Sequence, residues 1–155
     1  RQRQMCIRDS IKTTLKETLD LKILMIAMGT VTILMGLWGV VQGDVWAEYA
    51  WGEGNVLAHD AAYERMWALH IVPYGVLAIG TGLFVTGKAL AKMALLCPSV
   101  LLIIFIGMGY FTTEYAYGGP SGLILLIPVM QLLLIVLLGI SGYLHLNDDE
   151  SPSEA

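Results

Sequence analysis

Four stretches without a single Asp, Glu, Lys or Arg, each about as long as a bilayer crossing, constrain this chain more than any other feature. They are Ile23 to Val41, Met66 to Val85, Met93 to Phe111 and Gly122 to Leu144. A helical span needs about 20 apolar residues. The runs are continuous rather than alternating, which excludes a membrane barrel, and in hydrocarbon an isolated strand leaves its backbone unpaired. The expected fold is therefore all-α: a four-helix transmembrane bundle, up-down-up-down, with helices at about 20–42, 61–86, 90–112 and 121–145. Composition agrees. Of 155 residues, 56% are hydrophobic and 14% charged, and the mean hydropathy of +0.67 is that of a chain whose solvent is lipid.

The ends need separate treatment. Met5 to Ser10, MCIRDS, reads as the translation of a transposase adapter used in preparing sequencing libraries. Residues 1–10 are accordingly set apart from fold reasoning as a scar. Removing Arg1, Arg3, Arg8 and Asp9 moves the formal charge from −4 to −6. Residues 11–146 form the membrane domain, and residues 147–155, with Asp148, Asp149, Glu150 and Glu154, read as an acidic disordered tail. With Cys6 in the scar, Cys97 is a lone thiol, so no disulfide framework or thiol-paired metal site is expected.

Ile11, Leu15 and Leu19 recur four apart among Lys12, Lys16 and Lys22, an amphipathic lead-in to the first span. Lys88 and Lys92 fall in the connection between the second and third spans, read as the turn Gly87 to Lys92. Lysines flank cytoplasmic ends, which places both termini in the cytoplasm of a multi-pass plasma-membrane protein. The first outer connection, Gly43 to His59, is aromatic and acidic, with Asp44, Trp46, Glu48, Tyr49, Trp51 and Glu53. Its rings suit the headgroup layer. Asp44 and Glu48 share a face if this segment is helical, but a hard cation needs more converging oxygens than two.

Candidate site residues come chiefly from the second span. With Asp60 read as its N-cap, Asp60, Tyr63, Trp67, His70, Tyr74, Leu77 and Thr81 form one stripe at helical spacing. The stripe is expected to wall an outward-facing pocket inside the bundle. Glu64 and Arg65 stand at its mouth. His70 is four residues below Met66, roughly 6 Å into the apolar layer, where an ionisable side chain marks a site by default. Pro73 cannot donate to the carbonyl of Leu69 and leaves an acceptor beside it. The plainer alternative is a neutral, hydrogen-bonded histidine between Trp67 and Tyr74. Glu114 and Tyr115 are brought to the same side by the turn before the fourth span. Gln131 is a polar side chain within that span, either bonding a neighbouring helix or lining a cavity. The ligand-pocket candidates are thus Glu64, Arg65, Trp67, His70, Tyr74, Glu114, Tyr115 and Gln131.

Several chemistries lack their residues. His59 and His70 lie on one element and His145 near the opposite end, which does not supply two axial haem ligands. Zinc spacings, phosphate-binding glycine loops and basic nucleic-acid patches are missing as well. No catalytic residue, metal or cofactor is assigned.

The order of spans, with YERMWALHIVPYGVLAIGTGL opening the second and MGYFTTEYAYGGPSG preceding the fourth, resembles the uncharacterised branches of the DoxX-like small four-helix membrane proteins. Arg65, Gly75, Gly80 and Gly82 are the matching positions, whereas Tyr110 stands where the pattern has an arginine. The resemblance implies a bundle and an association with quinone or redox systems. It identifies no catalytic residue. The expected role is a non-enzymatic partner subunit or binder of a small lipophilic molecule, with the lipid bilayer, a membrane-protein partner or a second copy as company and nucleic acid excluded. The alternatives are a component of a quinone-linked oxidoreductase using His70, Glu64 and Arg65, and a proton or ion conduit. For a conduit the first span offers only Thr30 and Thr32.

Overall fold

The computed structural model describes residues 14–115, 118 and 125–146. Among them the chain is all-helical. Helix α1 is Leu21–Val41, α2 Gly43–Trp51, α3 Asp60–Phe84, α4 Gly87–Glu114 and α5 Leu126–His145. A short helical piece at 14–18 precedes α1. Helices α1, α3, α4 and α5 are each long and apolar enough to cross a membrane. Residues 1–13 and 147–155, and with them the scar and the acidic tail, lie outside the described residues, as do Tyr117 and the start of the expected 121–145 helix.

Three boundaries differ from expectation for identifiable reasons. Asp60 is the first residue of α3 rather than its N-cap; the cap is His59, which makes no side-chain capping bond. The Asp60 carboxylate instead reaches back to accept from Leu57 N–H at 2.7 Å. The turn between α3 and α4 is only Val85 and Thr86, both extended, followed by Gly87 at φ 59. Glycine takes that left-handed conformation without a Cβ penalty, so Lys88 and Lys92 belong to the opening of α4 rather than to a loop. The outer connection also contains a helix of its own. Helix α2 follows α1 after Gln42, whose N–H donates to Trp38 O, and it ends at Gly52, φ 86, whose N–H donates to Glu48 O.

The most extensive packing in the molecule joins α1 to α3, and it is built on glycine. A Cβ placed on Gly29 would lie 2.6 Å from Gly75 O, and one on Gly75 would lie 2.6 Å from Gly29 O. Each glycine therefore directs a Cα–H at the other's carbonyl. The pattern repeats: Gly36 meets Ala68 O, Gly43 meets Ala61 O, and Gly82 meets Lys22 O. Positions 22, 29, 36 and 43 of the chain thus oppose 82, 75, 68 and 61. Both series step by seven and run in opposite directions, so α1 and α3 are antiparallel. A seven-residue seam keeps two helices in contact with a left-handed crossing of about 20°. In lipid, where apolar side chains gain nothing by leaving solvent, such approach supplies dispersion contacts and weak Cα–H···O bonds.

The second pairing is α4 with α5. Gly142 sits against Ala91 O, Ala94 and Leu95, which brings the end of α5 to the start of α4. The four long helices meet in one core of Leu21, Met25, Met28, Ala78, Leu90, Ala91, Ala94, Ile135 and Leu138. That core lies toward the end that carries Lys22, Lys88 and Lys92. The buried residues of α4 are Leu90, Ala91, Ala94 and Pro98; those of α5 begin at Gln131. Beyond Pro98, α4 has no fully buried residue, although Leu101 and Phe105 still pack half-buried against the core, and Gly107 and Gly109 have nothing within 4 Å of a Cβ position.

The contrast among glycines is directly measurable. Gly29→Ala and Gly75→Ala each force a methyl into backbone that cannot rotate away, and each is expected to destabilise the protein by about 1–3 kcal/mol. Gly107→Ala, in open space, is expected to change stability by less than about 0.5 kcal/mol. Denaturation in detergent micelles, followed by circular dichroism, reads both. Equal effects at positions 75 and 107 would refute the seam.

Candidate functional site

Helix α3 buries Asp60, Glu64, Ala68, Ile71, Gly75, Ala78 and Gly82. This small-residue face is the one turned to α1 and α2. Of the stripe expected to wall a pocket, Asp60 is on this face, and the rest lies about 100° round the helix and faces outward: Tyr63 is 58% exposed, Trp67 40%, Tyr74 45% and Leu77 67%, and His70 is exposed as well. The expectation that Trp67, His70 and Tyr74 line an interior cavity is therefore corrected. Large rings would hold the backbones apart, and the seven-residue seam needs them close, so the rings face outward. His70 is satisfied locally. Its Nδ1 is 2.6 Å from Met66 O, and since a carbonyl only accepts, the proton is on Nδ1. The carbonyl taken is that of Met66, not the one released by Pro73.

The remaining candidates separate. Glu64, 7% exposed, is on the inner face and is engaged by a partner. Arg65 points the other way round the helix. Its stem crosses Gly43, where a Cβ would strike Cγ of Arg65, and its guanidinium donates to Asp44 Oδ2 at 2.5 Å. The pair ties α2 to α3, although both side chains are well exposed and such pairs contribute at most about 1 kcal/mol. Asp60 is buried beneath His59, with 3.5 Å between His59 Nε2 and Asp60 Oδ1. Glu114 and Tyr115 end α4 on the surface, Tyr115 stacked on Phe111 with ring centroids 6.1 Å apart. Beyond them Gly118 N–H donates to Ala50 O at 2.7 Å, which brings residue 118 down onto the end of α2. The structure thus leaves His70, Glu64 and Arg65 pointing in three directions. No group of three His, Cys, Asp or Glu side chains placed to hold a metal occurs among the described residues.

Gln131 is different. It is 1% exposed, about 7.5 Å below Leu126 at the helical rise per residue, and Pro128 lies in the first turn of α5, where a missing N–H is tolerated. Its Nε2 donates to Thr32 Oγ1 at 3.2 Å, and the Thr32 hydroxyl donates in turn to Met28 O at 2.8 Å. The chain of donors runs one way, from α5 into α1. It fixes the amide with Nε2 toward Thr32 and Oε1 away from it. Among the described residues Oε1 is the buried side-chain oxygen or nitrogen that has no hydrogen-bond partner. Other hydroxyls in the spans spend themselves on their own helix: Thr30 on Ile26 O, Thr81 on Leu77 O and Ser99 on Leu95 O. At the lysine end Ser141 Oγ donates to Leu19 O at 2.5 Å, and His145 Nδ1 lies 2.8 Å from Ser141 O.

Reading the sequence had singled out Gln131 but not its partner. Thr32 was visible only as a polar residue in the first span. The signal was its register, three residues after Gly29 and four before Gly36, on the small-residue face. Ser141 carried the same signal beside Gly142.

An unpaired buried acceptor destabilises by about 1–3 kcal/mol. Gln131→Leu removes it at nearly constant volume, and Thr32 keeps its bond to Met28 O. The variant is expected to be at least as stable as the parent, by up to about 1 kcal/mol, in the same micellar denaturation; a clear loss of stability would show that Gln131 is a structural strut. Comparison of the chain with protein-family models, with curated proteins and with solved structures gave no match.

Proposed function

We propose that this chain is a non-enzymatic, multi-pass protein of the plasma membrane that binds a small lipophilic molecule from the outer half of the bilayer. The site is centred on Gln131 and Thr32, where α5 packs against α1, and is closed in the absence of ligand. The observation that carries this reading is the unpartnered Gln131 Oε1, a polar atom kept inside the membrane domain at a cost to stability. The shape of the bundle supports it. The fully buried positions of α5 begin at Gln131, and α4 has none beyond Pro98, where Leu101 and Phe105 are only half-buried.

The orientation follows from lysines. Contact of Gly82 with Lys22 O, and of Gly142 with Ala91, brings the start of α1, the α3–α4 turn and the end of α5 to one end, with Lys22, Lys88 and Lys92. Under the positive-inside rule this end is cytoplasmic, so the four spans alternate in direction and both termini face the cytoplasm. A second reading, as a subunit of a larger membrane complex, is favoured by the outward face of α3. Tyr63, Trp67, His70 and Tyr74 lie there together, and a polar group at membrane depth more often faces protein than lipid.

Two measurements test the proposal. Protein purified in mild detergent and extracted with organic solvent should release close to one lipophilic molecule per chain by mass spectrometry, and Gln131→Leu should release at least tenfold less. Absence of any retained molecule from the parent would overturn the binding role. A reporter fused after Ala155 should be active only in the cytoplasm; activity outside would reverse the orientation.

A further inference from the structure

Which end of a ligand Gln131 would hold is decided by the direction of its hydrogen bonds. An amide offers two donors and one acceptor oxygen. Here the nitrogen is bound to Thr32 Oγ1, and the Thr32 proton is committed to Met28 O. Turning the amide over would set Oε1 against the Thr32 oxygen and replace an attraction by lone-pair repulsion unless the Thr32 hydroxyl abandoned Met28. The atom without a partner is therefore an acceptor, 99% buried with its side chain, while Nε2 keeps a second N–H beyond the one given to Thr32.

We infer that the ligand presents a hydrogen-bond donor, a hydroxyl on a lipophilic body, to Gln131 Oε1. The inference rests on the binding role proposed above and specifies its chemistry. An ester, ether or carbonyl group brings only lone pairs and cannot complete Oε1. An ammonium group would be a donor as well, but the core one helical turn away, with Met28 and Ile135, is apolar and offers a cation no counter-charge. A neutral hydroxyl satisfies Oε1 and brings little charge into the apolar layer.

The ligand-free site is closed, because Oε1 has essentially no accessible surface. Opening falls to α4. From Ser99 to Glu114 this helix has no fully buried residue, and a Cβ added at Gly107 or Gly109 would meet nothing within 4 Å. The lower part, Leu90 to Pro98, is anchored in the core. Moving the outer part away from α5 breaks few contacts and uncovers the carbonyl from the lipid side, the side on which a membrane-dissolved ligand arrives.

The test uses matched probes with the full chain in dodecylmaltoside micelles: 4-nonylphenol and its methyl ether 4-nonylanisole, with 1-dodecanol to separate phenolic from aliphatic hydroxyls as the source of the donor. Binding is measured by equilibrium dialysis against empty micelles. The expected result is that one or both hydroxyl probes bind at least tenfold more tightly than the ether, and that Gln131→Leu abolishes the preference while its denaturation midpoint stays at or above that of the parent. Thr32→Val frees the amide to turn over and should narrow the preference by raising affinity for the ether. Binding of both hydroxyl probes to the parent no tighter than that of the ether overturns the donor inference and leaves a lipophile site standing. Preference retained in Gln131→Leu overturns it too. Failure of every probe to bind overturns both the inference and the binding role beneath it.

Discussion

Everything in this molecule depends on two backbones being allowed to touch. In water, α1 and α3 would be driven together by their apolar side chains; in lipid that drive vanishes, since hydrocarbon tails are as apolar as leucine. What remains is distance-dependent attraction, which falls steeply with separation. Gly29 against Gly75, at a spacing that no Cβ fits, brings the helices close enough for those forces to sum along the seam from Lys22 to Gly43. The same close pair fixes where α2 can go. Ala47 and Ala50 are buried, Trp46 packs over Gly39, and Arg65 lies across Gly43 to reach Asp44.

This explains why the spans were legible in the sequence and the inner face was not. Length and apolarity alone mark Leu21–Val41 or Gly87–Glu114 as membrane-crossing helices, because the backbone must be satisfied internally whatever the neighbours do. The inner face is set by which side chains permit approach. Reading the polar and aromatic stripe from Tyr63 to Thr81 as interior applies the rule for binding sites in soluble proteins, where rings line pockets. In a bilayer the rings at the ends of a span belong to the headgroup layer, and the interior is marked by what is small. Ala61, Ala68, Gly75 and Gly82 recur every seven residues opposite a matching series in α1. That register, not the spacing of four between Gly39 and Gly43 or between Ala78 and Gly82, was the usable signal. Helix α2 and the two-residue turn at Val85 and Thr86 were beyond it, since both depend on what α1 and α3 do on either side.

The outer end shows what the seam leaves over. Asp60 and Glu64 share the inner face of α3, Asp60 bound to the backbone of Leu57 and Glu64 also engaged, while Arg65 is turned outward to a half-solvated pair. Burial and exposure here follow the helical phase of each residue relative to Gly75. Asp60, Glu64, Ala68 and Ile71 are in phase; Tyr63, Trp67, His70 and Tyr74 are not. A proton-handling trio of Glu64, Arg65 and His70 would require one helix to point three different phases at one place. Their assignment to a shared site therefore fails on geometry before any chemistry is considered.

Gln131 is the exception to an otherwise self-satisfied interior, and its register says why it stands where it does. Thr32 meets it across 99 residues of chain because α5 packs beside α1. One turn lower, Ile135 occupies the corresponding position and is fully buried among methionines and alanines. A leucine or methionine at 131 would extend that core outward by a turn at no electrostatic penalty, and the four helices would then close further up. A glutamine does the reverse. It attaches α5 to α1 by its nitrogen and leaves its oxygen buried without a hydrogen-bond partner. The apolar residue would give up the tie to Thr32 and remove the unpaired acceptor, so the amide at 131 exchanges core packing for a polar link between α1 and α5.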